Sequence, residues 1–509
     1  MAYGQSADQP LPRLPLVVPL ESRYGATNTD AKLINAFAEK DESGEYEVYK
    51  RQGVAAYQSL TGAGATLPAG QFVSFHTAFY TGYTNHVLTF GVVGPGPGWT
   101  LTITVDGGAT YTAFFGTPPG ATYVYPPVVS ATQTTPNIVS MMVPYSELST
   151  NPVIINFNPV SHLFSAVGTI PGSNIGLVPG MVWLDFTLYV MDVAGNIWGS
   201  NLGDPTTWSS SNFIQPAAIA GVGVALAQHE SLIVALKTGS IEFLYDAGNT
   251  TGSPLLPVPN SAVAWGCMDG GTVQNIENKL FWLATSAESG AFIAMLDQRQ
   301  HRKISTPGVD RLLDDVSGPF YSSAMKDMGH IYYVLTAVGA NITLVYDLDQ
   351  SIWYLWTDQN GNYWPWFGFA SVTVPEPMVT CLSLKPALVN TTYQFDEEFY
   401  SDATTFTASA LFPVDIYTPN YDSGSRRSDS LQRMDFIADQ QPGILKSRWN
   451  DDDYAVGKWS QFRNVDLNQR RPNLLDNGSF RRRAYHFRWL ENLPLRLEAV
   501  ELNILPGTE

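Results

Sequence analysis

Four stretches of the chain share one pattern, a short apolar strand, a turn and a second strand that ends in an acidic residue: Thr187–Asp192, Leu232–Asp246, Leu280–Asp297 and Ile331–Asp347. Their first strands start at Leu188, Leu232, Leu280 and Ile331, in steps of 44, 48 and 51 residues. One four-stranded propeller blade takes about 40–50 residues. A single blade cannot bury both of its faces, so such units stack around an axis and leave only short edges exposed. Glycine or asparagine marks each turn, at Ala194-Gly195-Asn196, Thr238-Gly239-Ser240, Glu288-Ser289-Gly290 and Gly339-Ala340-Asn341. These residues tolerate the backbone that tight hairpins require. The pattern predicts a mainly β fold with a propeller-like body.

At 509 residues the chain is too long for one core. Three units are expected: an N-terminal arm with platform strands (1–60), the propeller-like body (61–420) and a C-terminal β-rich module (421–509). The N-terminal arm and the C-terminal module together form a platform or dock. The prolines at 10, 12, 15 and 19 favour an extended arm over residues 1–23. Residues 62–70 read as a small-residue linker and the Gly-Pro-Gly-Pro-Gly run at 94–98 as a tight break. The hairpin around Asp106-Gly107-Gly108 reads as part of an insertion over about 95–150 that stands apart from the repeat. A polar linker covers 422–430.

Charge narrows the function classes. The net charge is −18; residues 421–509 hold 14 basic and 13 acidic side chains, which leaves 14 basic and 33 acidic before them. Nucleic-acid readers carry the opposite bias, since they neutralise phosphates. An acidic body argues against tight DNA binding and suits a passage through which DNA slides. Cys267 and Cys381 are too few for a disulfide framework and read as buried thiols. The start of the chain shows no secretory signal, and no apolar run is long enough to span a membrane, so a soluble product of a reducing compartment is expected.

Catalytic signals are sparse. The histidines at 76, 86, 162, 229, 301, 330 and 486 are too dispersed for local metal ligation, and neither a phosphate-binding glycine loop nor a nucleophile elbow occurs. No catalytic residue, cofactor or metal is assigned. Asp451-Asp452-Asp453 fits either a calcium-binding cluster or a solvated loop. Ser200–Trp208 is similar to the Asp-box turn of glycan-cleaving propellers, which keeps a glycan-binding or sialidase-like enzyme as the alternative. Such an enzyme needs converging arginines, and residues 165–370 hold only Arg299, Arg302 and Arg311. In the run Arg481, Arg482, Arg483, Tyr485, Arg488 and Trp489, basic and aromatic residues alternate. That favours a protein–protein interface over a solvated strand face or a nucleic-acid surface.

Taken in order, several segments resemble the packaged-DNA stabilisation, tail-hub or nozzle proteins of short-tailed bacteriophages. They are Asp30–Phe37 with Tyr46–Gly53, then Ser200–Trp208, Gly239–Gly248, Trp265-Gly266, Leu280–Leu283, Gly290 and Ile304–Thr306. Ser447–Asp453, Lys458–Ser460 and Arg481–Trp489 follow. Gln52-Gly53 stands where that family has Pro-Gly. The resemblance implies a virion structural protein made in the host cytoplasm, without enzymatic activity. It implies a ring, commonly a hexamer, below the portal and its adaptor, which continues the DNA channel and retains the packaged genome. The implied partners are further copies of the chain, the portal-adaptor protein, a tail spike or fibre, and a needle or plug protein. Double-stranded DNA passes through the lumen without sequence-specific binding.

Overall fold

The computed structural model describes residues 11–17, 31–41, 44–59, 72–80, 85–93, 99–105, 110–116, 125, 128–131, 138–142, 154–158, 161–165, 170–171, 176–314, 316–372, 378–385, 388, 391–396, 398–422 and 427–507, with backbone alone for the strands from 72 to 116. Arm residues 1–10 and 18–23, the linker 62–70, the break 94–98, Asp106–Gly108 and linker residues 423–426 lie outside them.

Seven antiparallel sheets follow one another along the described chain. The first holds Phe72–Tyr80, Asn85–Val93, Trp99–Val105 and Thr110–Gly116; the second holds Val128–Ala131, Val139–Met142, Ile154–Asn158 and Leu163–Ser165. The segment 95–150 thus supplies strands to both. The third comprises Leu177–Leu184, Thr187–Asp192, Ile197–Asn201 and Asp204–Ile214, and the fourth Gly223–His229, Leu232–Lys237, Ile241–Asp246 and Leu255–Pro257. In the fifth, Gly266–Cys267 and Gln274–Ile276 both pair with Lys279–Ser286, followed by Gly290–Asp297 and Gln300–Lys303. The sixth runs Phe320–Asp327, His330–Ala337, Ile342–Asp347 and Ile352–Leu355. The seventh takes Trp366–Val372, Met378–Ser383 and Thr391–Asp396 from the body, then Gly53–Ser59 from the N-terminal region, and continues through Ser401–Ala403, which pairs parallel to Gly53–Ser59, to Ser409–Leu411.

The inner strands of the second to seventh sheets pack in succession, and Trp366–Val372 packs in turn on Phe72–Tyr80 of the first. The repeat read from the sequence is this blade period, since all four of its starting points fall on second strands. Those strands are buried nearly end to end (Thr187–Asp192 and Leu232–Lys237 completely), because both faces of each sheet are covered by neighbours. The apolar clusters lie between sheets: Tyr189, Met191 and Ile197 meet Ile233 and Leu244, and Val234, Leu236 and Phe243 meet Leu280, Trp282 and Phe292. Phe281 and Ile293 meet Tyr333, Leu344 and Trp353. One part of the repeat reads differently. Asp246, Asp297 and Asp347 end third strands, but Asp192 ends a second strand and holds its own turn by accepting from Asn196 N, Asn196 Nδ2 and Trp198 Nε1.

The remaining strands form a sandwich beside the sixth and seventh sheets. One layer is Ala36–Lys40, Tyr46–Lys50, Arg496–Leu505, Asp429–Ala438 and Asn473–Leu475. The other is Lys32–Ile34, Val414–Tyr417, Ala484–Trp489, Ile444–Asn450 and Arg463–Asp466, joined to the sixth sheet through the parallel pairing of Ile34 with Leu355. Phe436 of the first layer meets Phe487 of the second edge-on at 5.6 Å. Strands from both chain ends therefore build this platform, and its core is continuous with that of the last two sheets.

Candidate functional site

The inner strands approach one another so closely that several positions admit only glycine. A Cβ on Gly180, whose φ is +111°, would lie 1.8 Å from Leu226 O; one on Gly271 would lie 2.4 Å from Phe320 O. What remains at the axis is a cavity of about 420 Å³ lined by residues of the second to seventh sheets and the segments that lead into them, among them Tyr125, Gly180, Gln228, Gly271, Tyr321 and Phe367. Its polar groups are engaged with one another. Gln274 Nε2 donates to Ser322 O (3.0 Å), Ser322 Oγ to Gly271 O (2.7 Å) and Asn275 Nδ2 to Gln228 O (2.7 Å). Asp269 borders this region. Burial raises its carboxyl pKa above the ordinary value, against the opposing bonds from Gly271 N–H and Tyr125. None of the described lining residues is an arginine or a carboxylate, the groups that sialoside recognition and a paired-acid mechanism need. The cavity has the volume of a small-molecule site rather than of a bore for a duplex, whose major groove alone is about 12 Å wide.

The Asp-box-like turn is structural. Asp204 Oδ1 accepts from Thr206 N at 2.9 Å and Oδ2 from Thr207 Oγ1 at 3.1 Å, while Trp208 Nε1 donates to Pro205 O at 3.0 Å. Arg299 lies in the turn before the outer strand of the fifth sheet, Arg302 in that strand and Arg311 on the short helix Pro307–Leu313, and none of the three lines the cavity.

The two ends of the sheets differ in chemistry. Turns between first and second strands, and between third and fourth, share one end; in the third sheet Gly203 N bonds Phe186 O across them at 2.8 Å. In the third to sixth sheets this end carries Asp185, Asp204, Glu230, Asp246, Glu277, Asp297, Asp327, Asp347 and Asp349. At the opposite end of the third and fourth sheets, the turns 193–196 and 238–240 and the connections 215–222 and 258–265 carry no charged side chain.

The run at 481–489 divides. Arg481 and Arg482 are exposed and Arg488 is half-buried, but Arg483, Tyr485 and Trp489 are interior, which removes those three from an interface surface. Arg483 grips Asp451 with Nε and Nη2 at 2.6 and 2.9 Å and lies over the Trp449 and Phe480 rings. Asp453 accepts from Asn420, and Arg482 stands 3.6 Å away. Two of the three clustered aspartates are thus ion-paired. Arg488 and His486 converge on Asp415, each at 2.6 Å. Burial lowers the His486 pKa despite that carboxylate, with Arg448 and Arg488 adding to the effect. The ring accepts from Arg448 Nε at Nδ1 and donates to Asp415 at Nε2.

Two residues the sequence did not single out tie platform to propeller. Arg51, fully buried, grips Asp402 with two bonds (3.0 and 2.6 Å) and also donates to Asn35 Oδ1, Gln52 O and Thr357 O. Its guanidinium lies 3.7 Å from the Phe412 ring centroid. His330, at the start of the second strand of the sixth sheet, bridges Asp347 (2.8 Å) and Glu39 of the platform (3.2 Å). His330, Asp347 and Asp349 bring ligand atoms within 4.8 Å of one another. Backbone amides of Asp349, Gln350 and Ile331 already bond the two aspartates, as in a structural turn.

Burial opposes the charge on His330, but Asp347 and Glu39 outweigh it and hold its pKa above the ordinary imidazole value. The protonated ring therefore stabilises the fold. That contribution is complete below the free value of about 6.5 and is lost as pH rises through the folded value. Lys50 works in the opposite sense, since burial and neighbouring Arg51 push its pKa down to about 7. We expect wild type to lose a few degrees of melting temperature relative to Glu39→Gln between pH 5.5 and 7.5. Melting both proteins across that range isolates the Glu39 part of the His330 contribution, and parallel curves would refute that part.

The fold and its axis define a mainly β protein with a propeller-like body whose centre has no catalytic constellation among the described residues. Residues 146–361 match the family model described as bacteriophage P22 Gp10, beta-propeller. This match bears out the resemblance to the tail proteins of short-tailed bacteriophages, and with it the class of virion tail component. No curated protein matches the chain. Among solved structures, the computationally designed Ika8 protein is 10% identical and covers 67% of this chain and 100% of its own, with a TM-score of 0.34. A mitotic checkpoint complex chain is 12% identical and covers 68% and 93%, with a TM-score of 0.41. Both likenesses are too loose to carry an argument.

Proposed function

We propose that this chain is the nozzle or hub subunit of a short-tailed phage tail, a non-enzymatic protein that assembles as a ring below the portal-adaptor. The ring, a hexamer on this reading, continues the DNA channel, holds the packaged genome in and docks spikes or fibres on its outside. The observation that carries the reading is the family match over 146–361. The small, self-satisfied cavity among the described residues at the axis adds to it, since it favours a duplex conduit between copies over one through a single propeller. Acidic turns at one end of the sheets, within a body of net charge −19, suit a wall along which DNA slides without adhering. The platform, with exposed Arg481 and Arg482, is the part proposed to meet the adaptor or spike. Electron microscopy of the purified assembly is the test. An annulus with a central hole wider than the duplex (~20 Å) is expected, and particles without a hole, or with one too narrow for DNA, would end this reading.

A further inference from the structure

We infer that the uncharged end of the third and fourth sheets is the surface through which a second copy of this chain docks. The inference rests on the ring reading and adds to it the location of the contact. Copies that each carry −18 repel one another unless they meet where charge is absent. The sequence holds no Asp, Glu, Lys or Arg between Asp204 and Glu230, nor between Asp246 and Asp269.

From these stretches the fold gathers the connections 215–222 and 258–265, with the turns 193–196 and 238–240, into one patch. Gly223 N bonds Val193 O at 3.0 Å and Thr238 N bonds Val222 O at 3.1 Å. A Cβ on Gly266 would lie 1.9 Å from Thr238 O, so the link to the fifth sheet abuts the same turn. Ala217, Ala218, Ala220 and Val222 are exposed there, Val222 at 51%.

The loop is also held rigid from beneath. Lys237, buried, donates to Pro216 O (2.9 Å), to Ile219 O and to Glu242 Oε1 (2.7 Å). Glu242, also buried, accepts from the amides of Ala218 (3.1 Å) and Ile219 (3.3 Å). A buried ion pair is an expensive way to support a surface loop. Here it fixes the apolar loop in one shape, so little conformational freedom remains to be lost on docking. In a ring each contact joins two different surfaces, so this end meets another part of the neighbouring copy.

The test uses the full chain, with mass photometry and sedimentation across concentration. Val222→Asp should weaken assembly at least about tenfold while melting temperature and circular dichroism stay at wild-type values, because a charge enters an apolar contact. Glu230→Lys, at the acidic end, should leave assembly unchanged. Val222→Cys should react with a maleimide in the dissociated protein and be protected in the ring; native Cys267 and Cys381 are buried. Val222→Asp assembling like wild type, or Val222→Cys labelled equally in both states, would overturn the inference and leave the ring reading standing. A wild-type chain that stays monomeric throughout would overturn both.

Discussion

Replacing Arg51 with methionine is expected to destabilise the protein by about 3–5 kcal/mol, the usual cost of breaking a buried ion pair on one side. The substitution leaves the Asp402 carboxylate, 3% exposed, without its counter-charge. It also removes the donors to Asn35 Oδ1, Gln52 O and Thr357 O. Asn35 opens the platform, Thr357 follows the sixth sheet and Asp402 lies in the seventh, so the loss falls on the joint between platform and propeller. Lys50, next in the chain, donates to Glu491 O from the same joint. Methionine keeps much of the arginine's apolar contact with Phe412, Trp364 and Trp356, so the effect reports charge rather than volume. The double variant Arg51→Met with Asp402→Leu should recover much of the loss, because it removes both charges together. Denaturant unfolding of the three variants measures this. An Arg51→Met loss no greater than that of the exposed Arg481→Met would sink the argument.

How much of this was legible in the sequence depends on how local the signal was. The blade period was readable because second strands are buried on both faces, so runs such as Leu232–Leu236 are apolar throughout. Several turns were readable from residues that take positive φ, such as Gly195, Gly290 and Asn341. The inner strands escaped notice because they are the least strand-like: Pro179-Gly180 carries the residue types of a break, although crowding at the axis is what requires glycine there. Arg51 gave no local sign, since its partner Asp402 lies 351 residues further on. Gly53–Ser59 could not be assigned to the seventh sheet for the same reason. In the run at 481–489, alternation of basic and aromatic residues suggested an interface, yet Arg483, Tyr485 and Trp489 are buried. His486 on the opposite face is buried too, by Tyr417, Trp459 and Phe462. Alternation locates a strand, but it does not say whether a second layer covers the other side.

Gly180→Ala should be the more disruptive of the alanine substitutions at positive-φ glycines in the third sheet, with an expected loss of at least about 3 kcal/mol. Two terms add. At φ +111° an L side chain is strained, and its Cβ would lie 1.8 Å from Leu226 O, which is backbone and cannot swing aside. The inner strands of the third and fourth sheets would have to part to admit it. Gly203→Ala is the matched control: φ is +73° but nothing lies within 4 Å of its Cβ, so only the backbone term of about 1 kcal/mol is expected. Comparing the two by thermal unfolding separates crowding at the axis from glycine's conformational freedom. The result also bears on function. If Gly180→Ala is as mild as Gly203→Ala, the inner strands are not tightly closed, and the case for placing the DNA passage between copies, rather than down the propeller axis, loses its structural footing.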